Sequence, residues 1–238
     1  MFAVLSLELP KENLMTKLIL LMILLVPSVA YLVLTTGKHN IKKLGYFGPK
    51  IPGAAEGDTT YHSIPPFEFT DQDGKLFGDK DLEGKIYVAN FFFTSCPSIC
   101  PAMQTLMKKV QNQDDFKKLE DFKLVSFTGD PETDSSARLK EFANKIQADS
   151  SRWYFLTGDK KALYDLASQG FLVNAMQDPT APGGFLHSDM ILLIDRNRHI
   201  RGIYEGTSLK DVKRLIDEIK VLVAEYNSAR RENVNPIR

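Results

Sequence analysis

The stretch Ile86 to Phe93 is strongly apolar, and it runs straight into Thr94-Ser95-Cys96-Pro97-Ser98-Ile99-Cys100-Pro101, which holds both cysteines of the chain. A helix-like pattern follows, from about Pro101 to Val110. The segment therefore reads as a buried strand, a turn and a helix, with two thiols at the turn. Residues four apart on one helical turn share a face, which brings the sulfurs to roughly 6 Å. That spacing suits a disulfide or a shared soft metal ion. Pro97 and Pro101 remove backbone donors where a helix start would orphan them anyway. The remaining N–H groups and the positive end of the helix dipole favour thiolate over thiol. The joint is expected to be a reactive or metal-binding site at the end of a buried strand. Ordinary buried cysteines or a purely structural disulfide would not call for this placement and these prolines.

The length of 238 residues allows one domain, or one domain with an appendage. An apolar content of 43% and a charged content of 25% place the chain among ordinary globular proteins. A formal net charge of +0 removes any bulk electrostatic case for nucleic acid. With both cysteines in one motif, none remain for a disulfide scaffold.

Residues 1–17 are mixed, and Met15 is an alternative start. Leu18 to Leu34 is a run of 17 residues without a charge. Extended to 18–36 it reaches the lower limit of a membrane-spanning helix, and Pro27 is tolerable in such a helix. The expectation is an uncleaved signal anchor. The competing reading is a cleaved signal peptide, because Ser28-Val29-Ala30 fits a small-x-small site; the apolar run continues past it. Lys11 and Lys17 flank one side and Lys38, Lys42 and Lys43 the other, so the positive-inside rule alone would keep the C-terminal domain in the cytoplasm. Residues 37–65 read as a linker rich in Gly, Pro and Lys, with His39 and His62 solvated. Residues 66–227 read as the folded domain, and 228–238 as a polar, frayed tail.

Within the domain, Phe67 to Thr70 and Lys75 to Phe77 form a short hairpin about the turn Asp71-Gln72-Asp73-Gly74. Cys96, Cys100, Met103 and Met107 align on one helix face; the methionines are read as core packing rather than ligands. Phe122 to Thr128 is a strand that ends at Gly129-Asp130-Pro131. Asp130 thus stands at the C-terminal end of a strand, where open α/β sheets place their sites, or it fixes a loop turn. Asp134 is expected to cap the next helix. Trp153 to Thr157 is a further strand with Trp153 as a packing residue, and Asp159 caps a short helix. Residues 170–188 are a long loop ending in Phe185-Leu186-His187-Ser188. A hairpin of Met190 to Asp195 and Ile200 to Tyr204 follows, then a helix opened by Ser208 with Asp211 as a short capping box.

The order describes an α/β domain of thioredoxin-like layout, a central mixed sheet flanked by helices. In that layout the turn before the late hairpin packs against the thiols, which brings His187 to Cys96 and Cys100. His199 is expected on the surface. Two thiolates and an imidazole make a three-coordinate soft site suited to copper(I). Zinc would want a fourth ligand, Asp130 or water, and copper(II) would use the imidazole with an oxygen ligand. Alternatively the thiols cycle between dithiol and disulfide with a partner. A peroxidase would normally use one nucleophilic thiolate rather than two so spaced.

Phe93-Thr94-Ser95-Cys96-Pro97-Ser98-Ile99-Cys100-Pro101, with Asp130-Pro131, Trp153, Leu156-Thr157-Gly158 and His187-Ser188, resembles the Sco/SenC family over about residues 65–225. The resemblance implies a thioredoxin-like fold, copper bound by Cys96, Cys100 and His187, and Asp130 near the site. It also implies maturation of the copper centre of cytochrome c oxidase from the outer, periplasmic face of the inner membrane. The partner would be the copper-bearing oxidase subunit or another copper chaperone. The family often has Asp where this chain has Ser98 and Leu186; both differences remove acidic charge beside the metal.

Overall fold

The computed structural model describes residues 14–36, 43–52, 59–97, 99–173 and 189–234. The chain divides into two compact units, Met1–Ile41 and Lys42–Arg238.

In the first unit, helix α1 spans Leu14–Thr36 with Pro27 inside it. Leu18, Ile19, Leu21, Ile23 and Leu25 are all exposed, so the apolar surface runs round the helix. Among the described residues no helix is long and apolar enough to cross a membrane. In the sequence the uncharged apolar run of this helix is Leu18 to Leu34.

The second unit opens with β1 (Lys50–Pro52) paired antiparallel to β2 (Thr59–Tyr61). A hairpin of β3 (Glu68–Thr70) and β4 (Leu76–Gly78) follows. Asp71 Oδ1 closes its turn by accepting from the Asp73 and Lys75 amides at 2.8 and 2.9 Å, and Gly74 takes the left-handed φ of +76° that the turn needs. After a 3-10 turn at Asp79–Leu82 come β5 (Ile86–Phe92), α2 (Ile99–Gln111), the single-turn α3 (Asp114–Lys117) and β6 (Phe122–Thr128). Then come α4 (Ser136–Lys145), β7 (Trp153–Leu156) and α5 (Lys160–Asp165), which runs into a π-helical turn at Leu166–Gly170. The hairpin β8 (Met190–Ile194) and β9 (Ile200–Glu205) leads to α6 (Leu209–Val234).

Five strands form the main sheet in the order β7-β6-β5-β8-β9. β5 lies parallel to β6 and antiparallel to β8, so the sheet is mixed. Every residue of β5 is buried, as a central strand covered on both faces must be. Its alternate residues feed two cores. Ile86, Val88 and Phe92 pack with α2, α4 and α6. Tyr87, Ala89 and Phe91 pack with the β3–β4 hairpin and the α5 segment. Each fully buried large apolar side chain contributes about 1.5–3 kcal/mol, so the sandwich fixes where β5 ends and the thiol turn begins. This is the α/β arrangement that the element order predicts.

The differences from sequence are local. Parts of the stretch read as linker pack on the second unit: Ile64 is fully buried and Phe47 bridges to Ile200. His62 is not solvated; its Nε2 contacts the Gly170 carbonyl at 2.6 Å. His199 is half-buried, with Nδ1 2.9 Å from the His62 carbonyl. Helix α6 continues to Val234, past the start expected for a frayed tail. His39 lies outside the described residues.

Candidate metal and thiol site

β5 delivers the chain to a tight turn in which the Cys96 amide donates to the Phe93 carbonyl at 3.2 Å. Cys100 lies in the first turn of α2. Both cysteines are buried, Cys96 at 6% and Cys100 at 3% exposure, and no disulfide joins them. Burial pushes the Cys100 thiol up to about 12, a side-chain hydrogen bond with Cys96 adds to the rise, and a hydrogen bond with the Phe93 backbone opposes it. The expected bias toward thiolate is thus overturned at Cys100. It lies in the helix's first turn, but desolvation outweighs the favourable dipole. The pair is a preformed two-sulfur donor set, and a soft cation would displace the Cys100 proton on binding.

The turn is held from below by a carboxylate that sequence reasoning assigned to another task. Asp134 is fully buried. Its Oδ2 accepts from the Thr94 amide at 3.0 Å and from the Thr128 hydroxyl at 2.7 Å, and its Oδ1 accepts from the Thr94 hydroxyl. Arg138 Nε donates to Thr94 Oγ1 at 2.7 Å and lies 3.6 Å from Asp134 Oδ1. Asp134 therefore clamps the residue two before Cys96 to the end of β6. The N-cap of α4 is Ser135 instead, accepting from the Arg138 amide at 3.4 Å. Thr94 and Arg138 were not singled out in sequence; the Thr-x-Cys spacing was the only available hint.

Behind the thiols runs a buried polar chain. Trp153 Nε1 donates to Ser126 Oγ at 2.9 Å, Ser126 Oγ to Asn90 Oδ1 at 2.6 Å, and Asn90 Nδ2 to the Met103 sulfur at 3.8 Å. It ties β7, β6 and β5 to α2, one turn beyond Cys100. Trp153 is a packing residue with this added role, and Met103 and Met107 are fully buried core. Gly206 presses against Met103: a Cβ there would meet the Met103 side chain at 2.9 Å and the Asp189 carbonyl at 2.7 Å.

Asp130 leaves β6 at the same sheet end, where the Gly129 amide donates to the Phe92 carbonyl at 2.7 Å. Its Oδ1 accepts from the Thr133 amide at 3.4 Å and its carbonyl accepts from the Asp134 amide at 2.8 Å. These bonds fix the β6–α4 turn. Among the described residues no group of three or more His, Cys, Asp and Glu could hold a metal ion. His187, the third predicted ligand, lies outside the described residues, as does most of the loop expected at 170–188.

The SCO1/SenC family model matches residues 55–224. A SCO2-like protein of Rickettsia prowazekii is 30% identical over 209 residues, covering 84% of this chain and 95% of its own. A SCO1/SenC family lipoprotein from Bacillus anthracis superposes with a TM-score of 0.62 at 36% identity, over 68% of this chain and 95% of that one. BsSco, described as a member of the Sco family of cytochrome c oxidase assembly proteins with a disulfide switch, gives 0.59 at 28% identity, over 68% and 93%. Yeast Sco1 with copper bound shares the fold, with a TM-score of 0.57 at 24% identity over 72% and 94%. The family match covers well over half of the chain, and its span contains the thiol turn, the Asp134 clamp and the whole main sheet: this chain belongs to the SCO1/SenC family.

Proposed function

We propose that this chain is a membrane-anchored copper metallochaperone that binds copper through Cys96, Cys100 and His187 and serves the copper centre of cytochrome c oxidase. The observation that carries the reading is the buried thiol pair, hydrogen-bonded sulfur to sulfur where β5 meets α2. Two sulfurs in a dry, preformed pair suit copper(I), which prefers soft donors and accepts low coordination. His187 is the third ligand that the Sco/SenC resemblance implies, an imidazole that would complete a soft three-coordinate site. Asp130 is the carboxylate proposed beside the site. Relatives support the cargo and the destination: the family includes a member solved with copper bound and members described as oxidase assembly proteins.

The apolar surface of α1 supports an anchor over residues 18–36, with the domain on the periplasmic side of the inner membrane. Full protection of the domain from protease in intact spheroplasts would sink that placement. The ligand set is tested by competitive copper(I) titration of the reduced full chain beside His187→Ala and Cys100→Ser. One-to-one binding lost in both variants is expected; binding indifferent to His187 would overturn the three-ligand site.

A second reading, a thiol–disulfide oxidoreductase that reduces the cysteines of a copper-site partner, is favoured by the contact between the two thiols and by the disulfide switch described for BsSco. It predicts that His187→Ala spares thiol exchange while abolishing metal transfer.

A further inference from the structure

Met103 stands on α2 three residues after Cys100 and is fully buried. Three segments meet at its side chain, and each leads to one of the proposed ligands. The first is its own helix, which carries Cys100 in its first turn. The second is β5, which delivers the chain to Cys96; Asn90 of that strand donates from Nδ2 to the Met103 sulfur at 3.8 Å. The third is the chain entering β8, reached through Gly206. The Gly206 amide donates to the Asp189 carbonyl, which continues by one residue the ladder that pairs Met190 with Glu205. A Cβ on Gly206 would stand 2.7 Å from that carbonyl and 2.9 Å from both Cγ and Sδ of Met103. Asp189 is the second residue after His187 in the chain, so their Cα atoms lie at most about 7 Å apart.

Local conformation does not ask for this packing. Gly206 is not among the glycines with positive φ, so its turn would accept another residue; the close approach of Met103 and Asp189 would not. Asn90 turns a buried amide hydrogen onto a thioether, a weak acceptor, and that contact fixes an otherwise adaptable side chain. In a close-packed interior such a wedge transmits a displacement rather than absorbing it. We propose that Met103 and Gly206 are positioning residues for the third ligand. Gly206 holds Asp189, and with it the chain leaving His187, while Met103 locks Gly206 to the helix and the strand that carry the thiols. The inference rests on the proposed function in one respect, that His187 is a copper ligand; it adds what sets the histidine's place relative to the two sulfurs.

The test is Gly206→Ala in the full chain, read in two ways. The added methyl must part Asp189 from Met103. Copper(I) affinity by competitive titration should fall about tenfold, the loss typical of a group that orients a metal ligand, and less far than in His187→Ala. X-ray absorption at the copper edge of the copper(I)-loaded chain then tells which ligand is disturbed. The parent should show two sulfurs and one imidazole nitrogen, recognised by scattering from the outer ring atoms. Gly206→Ala at saturating copper should keep both sulfurs and show a reduced imidazole contribution. A glycine that serves packing alone would lower stability and leave both readings at the parent values.

Should Gly206→Ala fold poorly, Met103→Leu supplies the second variant. It is a swap of similar volume that takes the sulfur from Asn90 and branches the side chain against Gly206. It should lower affinity about threefold, again with the imidazole contribution reduced. Unchanged affinity in both variants overturns the proposal. So does a fall in affinity with the imidazole retained in full, because the substitution would then act through the thiols. The two levels fail separately. A parent complex of two sulfurs without imidazole removes His187 as a ligand, and the positioning role with it. A parent complex with imidazole, beside variants that keep it, removes the positioning role alone.

Discussion

Two buried aspartates sit at opposite ends of the main sheet and are treated differently. Asp195 follows β8 at the end remote from the thiols. Its Oδ1 accepts from the Asn197 and His199 amides, both at 2.9 Å, and its Oδ2 from Arg201 at 3.0 Å. Arg201 is itself buried and also binds Glu225 and the Leu44 and Gly45 carbonyls, with Tyr46 stacked on its guanidinium. That end is a closed network in which each charge has a counter-charge. At the thiol end, Asp134 is met mainly by hydroxyls and one amide, and its cation, Arg138, stands half-exposed. Nearby lie two buried thiols, Cys100 with its proton held by burial, and an unpaired glutamine amide, that of Gln104. One end is saturated for stability. The other leaves polar groups unpaired beside the thiol turn.

The comparison breaks first at Arg201. Arg201→Met leaves Asp195 and Glu225 without their shared cation, and orphaning a buried charge costs about 3–5 kcal/mol. Urea unfolding should show that loss, while copper(I) affinity of the folded fraction stays at the parent value. A copper affinity that falls with stability would mean that the two ends are coupled.

The next effect is kinetic. With its thiol pushed up to about 12, Cys100 in the reduced, metal-free chain exposes little thiolate. Its alkylation at pH 8 should be on the order of a thousandfold slower than that of an unstructured cysteine. The sign follows from the raised value: the neutral form persists through the physiological range, and the rate climbs about tenfold per pH unit up to the shifted value. Site-resolved mass mapping of iodoacetamide labelling between pH 7 and 11 checks it. A plateau near pH 9 would show that the buried pair does not hold its proton.

Asp134→Asn should cost less, about 2 kcal/mol, for hydrogen bonds made to a charge and now made to a neutral amide. Because Asp134 orients Thr94, two residues before Cys96, copper(I) affinity should also fall about tenfold, as for other supports of a ligand. Loss of stability with unchanged affinity would reduce Asp134 to a structural clamp.

The sequence revealed one of these ends far better than the other. The apolar run Ile86 to Phe93, the cysteine spacing and the strand–helix alternation made β5, α2 and the mixed sheet legible, because burial on two faces leaves a periodic signature. The closed Arg201 network was invisible: its members come from the segment before β1, the β8–β9 turn and α6, and long-range ion pairing has no local pattern. Asp134 was seen but given the wrong partner. An Asp just before a helix is ordinarily a cap, and here Ser135 takes that place while the carboxylate turns inward to Thr94 and Thr128. The thiolate bias was misjudged for a similar reason, since helix position is local and burial is not. Gln104 gave no signal at all, being one polar residue on a helix of mixed composition.

That glutamine supplies the smallest and most discriminating measurement. Buried with neither amide atom hydrogen-bonded, it is a liability to the fold. Gln104→Leu has nearly the same reach and no polar atoms, and replacing an unmet buried amide with an apolar group of similar shape is neutral to stabilising. The variant should unfold at slightly higher urea, by about 1 kcal/mol, with the slope of the transition unchanged. A structural glutamine would give the opposite sign. Stability lost in Gln104→Leu would place Gln104 with Asp195 and Arg201, among the groups that hold the fold together, and would leave the thiol end with no polar capacity beyond its two sulfurs.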